Sequence, residues 1–245
     1  MPEPGPPRFE HHHSCRTVTG LTLVHVPGAL AFGRRRRYLK DRPVWVPGDP
    51  ADHIWFVEQG RVIVHVSRAD GQDVIVHIAE PGEPFGELCF CAGGGVQSTT
   101  ALAVLDSLVV QISIADFVRY LQTDYASLYA MLITFCVRLS DAEQHVAVLA
   151  HRGAEERLGL LLIHLARTRG RPTAADRDHI SLSITHDELA RLAAMSRSHV
   201  TVTMGRLREG GLVRYDREQP LLVNVVRLEA YLATPPIETQ EGTDA

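Results

Sequence analysis

Two short stretches in the last third of the chain carry side chains that could recognise nucleic acid. Thr185-His-Asp-Glu188 has the spacing of a capping box, in which threonine and glutamate side chains accept hydrogen bonds from each other's backbone N–H groups at a helix start. Ser196 is a residue type that caps a second helix. The outer face of that second helix holds Arg197, Ser198, Thr201, Val202 and Gly205. These small or hydrogen-bonding residues suit entry into the major groove of DNA.

The other faces of both helices are apolar. A tight turn at 194–196 separates the helices, and Gly210-Gly211 ends the second one. Strand-like runs at 212–215 and 221–225 follow, which is the pattern of a β-hairpin. This order favours a winged helix-turn-helix over an ordinary helical hairpin. The positions on these inner faces are Leu189, Leu192, Ala193, Val200, Thr203, Met204 and Leu207.

The charge distribution agrees with a local rather than a general affinity for nucleic acid. The 245-residue chain has a net charge of −4, which argues against non-specific coating of DNA by the whole molecule. Residues 185–217, however, hold six arginines against four acidic residues. The basic excess therefore coincides with the helix-turn-helix.

A β-rich region precedes this motif. Between about residues 21 and 114, short β-branched or apolar runs alternate with turns such as Pro47-Gly-Asp-Pro and Pro81-Gly-Glu-Pro. Short strands at regular spacing predict a sandwich or barrel. The fold class is therefore α+β, with a jelly-roll-like β-roll in front of a helical C-terminal domain. The strand-like runs are 44–46, 54–57, 62–66, 74–78 and 102–105.

A heptad pattern follows the β-rich region. Apolar residues recur at alternating intervals of four and three, with no Pro or Gly from Phe117 to Arg152, which predicts one long helix. That helix could pack only on its own β-roll, but a strict two-position seam favours a parallel homodimer. The seam comprises Leu121, Tyr125, Leu128, Leu132, Phe135, Leu139, Ala142, Val146 and Leu149.

These patterns divide the chain into five segments. We expect a flexible arm at 1–20, a β-roll sensor domain at 21–115 and a dimerisation helix at 116–152. A winged helix-turn-helix follows at 153–233, beginning with an amphipathic helix over 155–169, and a disordered tail spans 234–245. No apolar run is long enough for a membrane span, and the N-terminus lacks the pattern of a secretory signal, so we expect a cytoplasmic protein without membrane contact.

Other groups with reactive side chains point to no catalytic site. The cysteines, Cys15, Cys89, Cys91 and Cys136, are too few and too scattered for a disulfide framework. His11-His12-His13 is more typical of an unstructured arm than of a metal site, and the arginine run at 34–37 is more typical of a solvated strand end than of a phosphate site. No Cys–His pair, nucleophile elbow, Gly-rich nucleotide loop or HExxH pair is present. We therefore expect neither an enzyme nor a metal centre.

Three segments in the right order give the chain a resemblance to a known family. Residues 184–202 look like the DNA-binding signature of the Crp/Fnr superfamily, and Pro84-Phe-Gly-Glu87-Leu with Ser98 is similar to its phosphate-binding cassette; we name residues 84–98 the cassette segment. The resemblance covers about 36–228, with the long helix where the family dimerises. It implies a homodimeric transcription regulator that binds double-stranded DNA at an inverted repeat and acts with RNA polymerase.

The resemblance assigns DNA contacts residue by residue. Arg197 matches the family's guanine-reading arginine, whose planar fork pairs with O6 and N7. Ser196 and His199 match positions that hold phosphate. Ser198 and Val202 depart from the glutamate and arginine of cyclic-AMP-responsive relatives, so the operator should differ from theirs. The expected DNA-binding residues are Thr185, His186, Ser196, Arg197, Ser198, His199, Thr201 and Val202.

The resemblance also locates an effector pocket, but with altered residues. Glu87 matches the glutamate that accepts the ribose hydroxyl, whereas Gln97 replaces the arginine that holds the cyclic phosphate, and a neutral amide forms no charge-assisted pair with phosphate. Ala142 and Glu143 replace two hydroxyl residues that meet adenine. We therefore expect no high-affinity binding of cyclic AMP and leave the small-molecule effector unknown. The pocket positions are Gly86, Glu87, Leu88, Gln97, Ser98, Ala142 and Glu143.

Three alternatives stay open on the same fold. Cys89 and Cys91 could sense redox state or hold a cluster, although their spacing does not match the iron–sulfur relatives. A haem sensor is the second alternative, but the ligand histidine of that branch falls at Leu88 here. The third is a regulatory module that acts through protein contacts without binding DNA.

Overall fold

The computed structural model describes residues 22, 28, 31, 33–69, 71–92, 95–173, 178–216 and 220–233, with the side chains of 91 and 92 excepted. The expected arm, with His11–His13 and Cys15, and the expected tail lie outside this part of the chain. The chain divides into two compact units between Ala142 and Glu143. No helix of the described residues is long and apolar enough to cross a membrane.

The N-terminal unit contains two antiparallel four-stranded sheets. The first has the order β1-β8-β3-β6, with β1 at Arg34–Tyr38, β3 at His53–Gln59, β6 at Pro84–Phe85 and β8 at Ser107–Ser113. The second has the order β2-β7-β4-β5, with β2 at Arg42–Trp45, β4 at Val62–Ser67, β5 at Asp73–Ala79 and β7 at Thr100–Ala103. The predicted β-roll is confirmed, and the arginine run forms strand β1, while β6 and β8 lie outside the strand-like runs of the sequence.

Strand β3 is buried on both of its faces, because successive side chains of a strand point in opposite directions. Trp55 and Val57 belong to a core cluster that draws on strands of both sheets. Ile54 and Phe56 belong to a second cluster, together with residues of three helices that cover the other face. These helices are α1 at Cys89–Ala92, α2 at Ile114–Thr123 and α3 at Tyr125–Ala150. Burial on both faces explains why this strand has a continuous apolar run.

The expected single helix from Phe117 to Arg152 is wrong at its beginning. Asp124 separates α2 from α3, with backbone angles of φ −127° and ψ 93°. Its carboxylate accepts hydrogen bonds from the hydroxyls of Tyr120 (2.8 Å) and Ser127 (2.6 Å) and from the backbone N–H of Ala126 (3.2 Å). These bonds satisfy groups at the start of α3 and hold the pKa of the Asp124 carboxyl below its usual value.

The C-terminal unit is a small sheet covered by helices. Its sheet order is β11-β12-β10-β9, with β9 at Arg171–Pro172, β10 at Ile180–Leu182, β11 at Val213–Arg214 and β12 at Leu221–Val223. The helices are α4 at Ala154–Arg169, α5 at His186–Leu192, α6 at Arg197–Glu209 and α7 at Val225–Leu232. The predicted apolar face of α4 is confirmed, since Leu158, Leu161, Leu162 and Leu165 are buried.

Two local features of this unit differ from the sequence pattern. Arg171–Pro172, outside the strand-like runs of the sequence, forms the edge strand β9. The second strand of the wing ends at Val223, because the side chain of Asn224 accepts a hydrogen bond from the backbone N–H of Arg227 at 3.0 Å and caps helix α7. Leu232 of α7 lies so close to α4 that a Cβ at Gly159 would meet its Cδ1 at 2.9 Å. A larger residue at Gly159 would therefore require the Leu232 side chain to shift.

Candidate nucleic-acid interface and effector region

Helix α5 begins at the predicted capping box. The Thr185 hydroxyl accepts a hydrogen bond from the backbone N–H of Glu188 at 3.1 Å, and the Glu188 carboxylate accepts one from the backbone N–H of Thr185 at 2.8 Å. The same carboxylate accepts a third bond from the Thr185 hydroxyl at 3.0 Å. These bonds allow Glu188 to be 95% buried as a polar residue, because a buried carboxylate needs such partners. The start of α5 is thus fixed locally.

A tight turn joins α5 to α6. Ala193 ends α5, and Ala194 takes the left-handed conformation with φ +50°. The backbone N–H of Met195 then donates to the carbonyl of Ala190 at 2.9 Å, as in a Schellman motif. A non-glycine residue in this conformation costs roughly 1–2 kcal/mol, which the burial of Ala193 and Met195 on either side helps to offset.

Helix α6 begins immediately after this turn and has two distinct faces. The Ser196 hydroxyl accepts a hydrogen bond from the backbone N–H of His199 at 3.3 Å and so caps the helix as predicted. The four predicted inward positions, Val200, Thr203, Met204 and Leu207, are all buried. The opposite face exposes Arg197, Ser198, His199, Thr201 and Val202. The helix therefore presents a guanidinium and hydroxyls at its N-terminal end.

The wing packs on the beginning of α5 through an aromatic contact. The rings of His186 and Tyr215 meet edge to face with centroids 5.0 Å apart, and the guanidinium carbon of Arg208 lies 5.1 Å from the Tyr215 ring centroid. Burial lowers the pKa of His186 below 6.5, and the nearby charge of Arg197 lowers it further. The neutral form of His186 is therefore favoured, beside the cationic end of α6. The sequence did not indicate Tyr215; its only signal is an aromatic residue directly after the first wing strand.

The cassette segment is positioned by an aromatic cluster. Gly86 has φ +80°, a conformation that favours glycine, and a Cβ at this residue would lie tightly against Trp55 at 3.0 Å and Trp45 at 3.3 Å. The next residue, Glu87, is partly buried. Its carboxylate oxygen Oε1 lies 3.7 Å from Nη1 of Arg138 on α3, while Nη2 of Arg138 donates to the carbonyl of Pro84 at 2.6 Å. One guanidinium thus binds the cassette segment at two points.

The structure places the remaining pocket positions in different environments. Gln97 is buried, and its backbone pairs with Gly48 (2.9 Å) and Asp49 (2.8 Å). Leu88 is 66% exposed, and Ser98 is also exposed. Ala142 and Glu143 are exposed on α3, one turn beyond Arg138. These pocket positions therefore do not share one environment with Glu87, whose side chain lies close to Arg138.

Comparison with known proteins identifies the two domains in which these residues lie. Residues 35–124 match the family model of a cyclic nucleotide-binding domain, and residues 156–231 match that of a Crp-like helix-turn-helix domain. The chain is similar to the cAMP-activated global transcriptional regulator Vfr of Pseudomonas aeruginosa, with 30% identity over 194 residues that cover 78% of this chain and 90% of that protein. The chain belongs to the Crp/Fnr superfamily of transcription regulators.

Two further similarities are consistent with this assignment, the first in sequence and the second in fold alone. The cyclic AMP receptor protein of Thermus thermophilus is 28% identical over 195 residues, which cover 80% of this chain and 86% of that protein. A solved structure of the c-di-GMP responsive global regulator CLP of Xanthomonas campestris matches with a TM-score of 0.67 at 23% identity, covering 82% of this chain and 98% of that one. This Crp/Fnr protein is therefore a DNA-binding transcription regulator and not an enzyme, as the sequence predicted.

Arg138 is a residue of this Crp/Fnr protein that the sequence analysis missed. It is the single charged residue of α3 before Asp141. A lone charge in an otherwise apolar helical stretch is a signal that could have marked it, because buried charges are normally paired. Its partner could not have been found in this way, since Glu87 lies in a distant part of the sequence.

The predicted dimer seam lies mostly on the exposed side of α3. The exposed members are Tyr125 (79%), Leu128 (37%), Leu132 (54%), Phe135 (36%), Leu139 (63%), Ala142 and Val146 (68%), which we name the apolar stripe. Leu149 is partly buried. Leu121 was wrongly placed in the seam, because it belongs to α2 and is buried in the core beneath the first sheet. The opposite side of α3 buries Ala130 and Met131 in the same core.

The thiol of Cys89 lacks the environment of a reactive cysteine. Burial raises the pKa of Cys89 to about 12, with a further contribution from the negative charge of Glu87. Cys136 is an exposed free thiol on α3. No group of three or more His, Cys, Asp or Glu side chains that could hold a metal ion occurs within the described part of the chain. A thiol that stays protonated is a poor nucleophile and a poor metal ligand.

Proposed function

We propose that the protein is a homodimer that recognises an inverted-repeat operator through the N-terminal end of α6. The observation that carries the proposal is the position of Arg197, the first residue of α6, exposed directly after the Ser196 cap. The N-terminal residues of a recognition helix are those that reach base edges in the major groove. The arginine fork then pairs with a guanine, while Ser196 and His199 bind phosphate and Thr185, His186 and Thr201 flank them.

The apolar stripe supports the dimer. Large apolar side chains at heptad spacing, exposed along one side of α3, are typical of a seam that a second helix covers. A two-fold axis along that seam relates two copies of α6. An inverted repeat has the same symmetry, so each copy meets one half-site, with centres about 34–36 Å apart.

The departures on α6 support a particular kind of operator. Ser198 and Val202 are exposed, but neither can make the bidentate contact of an arginine or a glutamine. Each half-site should therefore contain one strongly fixed G·C pair, read by Arg197, with weaker preferences beside it.

The experiment that tests this function selects duplexes from a randomised pool and measures affinity at several salt concentrations. The selected duplex should be an inverted repeat with a steep salt dependence. Arg197→Ala should cost about 1–3 kcal/mol per half-site and relax discrimination at the G·C pair. His199→Ala should weaken operator and scrambled DNA alike.

A matched control is Arg119→Ala, which removes the same charge from an exposed position of the N-terminal unit. It should leave the affinity for the operator nearly unchanged. If Arg197→Ala lowers affinity equally for operator and scrambled duplexes, Arg197 holds phosphate, and specificity must come from Ser198, Thr201 or DNA shape.

We also propose that cyclic AMP is not the effector. Glu87, the expected ribose ligand, is close to Arg138, and the arginine expected for the cyclic phosphate is replaced by the buried Gln97. Binding would have to separate the Glu87–Arg138 pair and leave the phosphate without a charged partner. The regulator therefore responds to a different small molecule or is active without one, although relatives named above are a cyclic AMP receptor protein and a cAMP-activated regulator.

Calorimetry tests the effector proposal. The wild-type protein should give no micromolar binding of cyclic AMP, while Gln97→Arg should gain measurable binding because it restores a cation at the phosphate position. Gln59→Arg, on an exposed strand end, adds the same charge away from the cassette segment and should gain none. Micromolar binding of cyclic AMP by the wild type would overturn the proposal.

Action beside RNA polymerase in the cytoplasm is part of the same proposal. It follows from the class of protein, since a sequence-specific DNA-binding regulator acts where promoters are. Transcription in vitro from a promoter flanked by the selected inverted repeat should change when the protein is added. One template carries the operator upstream of the promoter, and a second carries it overlapping the promoter. An unchanged transcript level with both templates would contradict this part of the proposal.

A further inference from the structure

The boundary between the two compact units falls inside a continuous helix. Helix α3 runs through Tyr125–Ala150, yet the division lies between Ala142 and Glu143. The last two turns of α3 therefore belong to the same unit as the helix-turn-helix. Val148, in these turns, is 94% buried. Two side chains connect this end of α3 and the segment just after it to the turn that precedes α6.

The first of these side chains is His145 of α3. Its Nε2 lies 2.6 Å from the carbonyl oxygen of Leu192, the last residue of α5. Because a carbonyl can only accept, the imidazole donates this hydrogen bond. The last carbonyls of a helix have no partner within the helix and carry partial negative charge, so a donor from outside is favourable there.

The second side chain is Arg157 of α4. Its Nε and Nη2 donate to the carbonyl of His151, just beyond the end of α3, at 3.0 and 2.9 Å. Its Nη1 lies 3.4 Å from the carbonyl of Ala193, the C-cap of α5. The planar fork of one guanidinium thus joins the end of α3 to the residue after Leu192.

These contacts converge on two consecutive carbonyls at the helix-turn-helix turn. The left-handed residue Ala194 follows at once, and α6 with Arg197 begins three residues later. The direction of α6 therefore depends on how Leu192 and Ala193 are held. Because α3 would lie in the dimer seam, its direction relative to the two-fold axis would also determine the direction of this turn relative to that axis.

We propose that His145 and Arg157 are positioning residues that fix the direction of the recognition helix against the end of α3, and so set the spacing of half-sites that the dimer accepts. The inference rests on the proposed function, because it requires a dimer that reads two half-sites. Neither residue touches DNA in this account. Their effect is on geometry, and it should appear in spacing selectivity rather than in base selectivity.

The test uses the full-length protein and the inverted repeat selected by the wild type, in duplexes whose centre-to-centre half-site spacing changes in steps of one base pair. The wild type should prefer one spacing. His145→Ala and Arg157→Ala should flatten that preference and lower the affinity at the preferred spacing by roughly fivefold to tenfold, the value of about one hydrogen bond. The affinity for a duplex with a single half-site should stay unchanged.

Two conservative variants separate positioning from general structure. His145→Gln keeps an N–H donor and should retain the spacing preference, whereas Arg157→Lys keeps the charge but not the fork and should lose much of it. Arg152→Ala, an exposed arginine in the same connection, and Gln144→Ala, the neighbour of His145, are matched controls that should keep the wild-type profile.

Each outcome decides the inference. A wild-type spacing profile in His145→Ala and Arg157→Ala overturns it. An equal loss of affinity for single half-sites also overturns it. So does loss of folding in both alanine variants, if His145→Gln and Arg157→Lys then show no difference in spacing preference. In both cases the residues only support the fold. If the wild type itself selects no inverted repeat, the proposed function fails instead, and the two failures are thus distinguishable.

Discussion

The helix-turn-helix and the cassette segment differ in how far their charged side chains are already engaged within the chain. Arg197 and its neighbours on α6 are exposed at a helix end, with the apolar face of the same helix buried. Glu87 and Arg138, by contrast, face each other with only 15% and 19% of their side chains exposed. One site offers its charge to a partner, and the other has much of its charge compensated internally.

This difference separates the requirements for DNA binding from those for effector binding. A phosphate or a guanine can meet Arg197 without displacing a protein group. A ligand that uses Glu87 must compete with Arg138, and removing one member of a partly buried pair leaves the other poorly solvated. DNA recognition is therefore expected to tolerate an empty cassette, while effector binding should rearrange the contact between α3 and the cassette segment.

The largest expected effect comes from disrupting the dimer, because two copies of α6 are needed to bind both half-sites. Leu132→Asp together with Leu139→Asp places four carboxylates in the seam of a dimer, where unpaired charge is costly. Dimerisation should weaken by at least about a thousandfold. Sedimentation equilibrium measures this change, and the affinity for the inverted repeat should fall toward that for a single half-site.

The control for this prediction is Ser140→Asp with Gln144→Asp, which adds the same charge on α3 away from the apolar stripe. These changes should leave the dimer intact. If the Leu132/Leu139 variant still sediments as a dimer of unchanged affinity, the apolar stripe has a different partner.

A smaller effect is expected from changes to the Glu87–Arg138 pair of the cassette segment. A double-mutant cycle with Glu87→Gln and Arg138→Gln should give a coupling of about 0.5–1.5 kcal/mol in denaturant unfolding, reduced from that of a fully buried pair because both groups retain some exposure and lie 3.7 Å apart. Arg138→Gln alone should cost more than the coupling, since it also weakens the bond to the Pro84 carbonyl.

The Arg119–Asp116 pair provides a matched comparison. It is shorter, at 3.1 Å, but its side chains are 74% and 41% exposed. Its coupling should be below about 0.5 kcal/mol, because solvent screens exposed pairs. Equal couplings for the two pairs would show that solvent screens the Glu87–Arg138 pair as strongly as a pair on the surface.

The features that the sequence predicted are those set by neighbours in the chain. The capping box at Thr185 and Glu188, the Ser196 cap and the buried face of α6 depend on residues three or four positions apart, and all three are confirmed. Heptad spacing likewise predicted a helix through most of α3. The functional roles of these residues at DNA or at a dimer seam stay predictions.

The features that the sequence did not predict depend on contacts between distant segments or on competing local signals. Arg138 and Glu87 meet only after the β-roll has folded against α3. Asp124 ends α2 through its bonds to Tyr120 and Ser127, although the heptad spacing continues across it. Val225 belongs to a helix despite its β propensity, because the Asn224 cap and the packing of α7 on α4 determine the local conformation.

The smallest expected effect concerns His186, which contacts Tyr215 of the wing and lies near the charge of Arg197. Burial, and next the charge of Arg197, lower its pKa below 6.5, so the folded state favours the neutral imidazole. This residue therefore contributes its full stability above about pH 6.5, and the contribution decreases as the pH falls toward the folded pKa. Arg197→Ala should raise the pKa partway, because burial still opposes the charged form, whereas Arg119→Ala should not change it. NMR titration of the imidazole C2 proton measures the midpoint. A midpoint at or above 6.5 in the wild type, or no change in Arg197→Ala, would mean that His186 is solvated and that the charge at the end of α6 does not reach the wing.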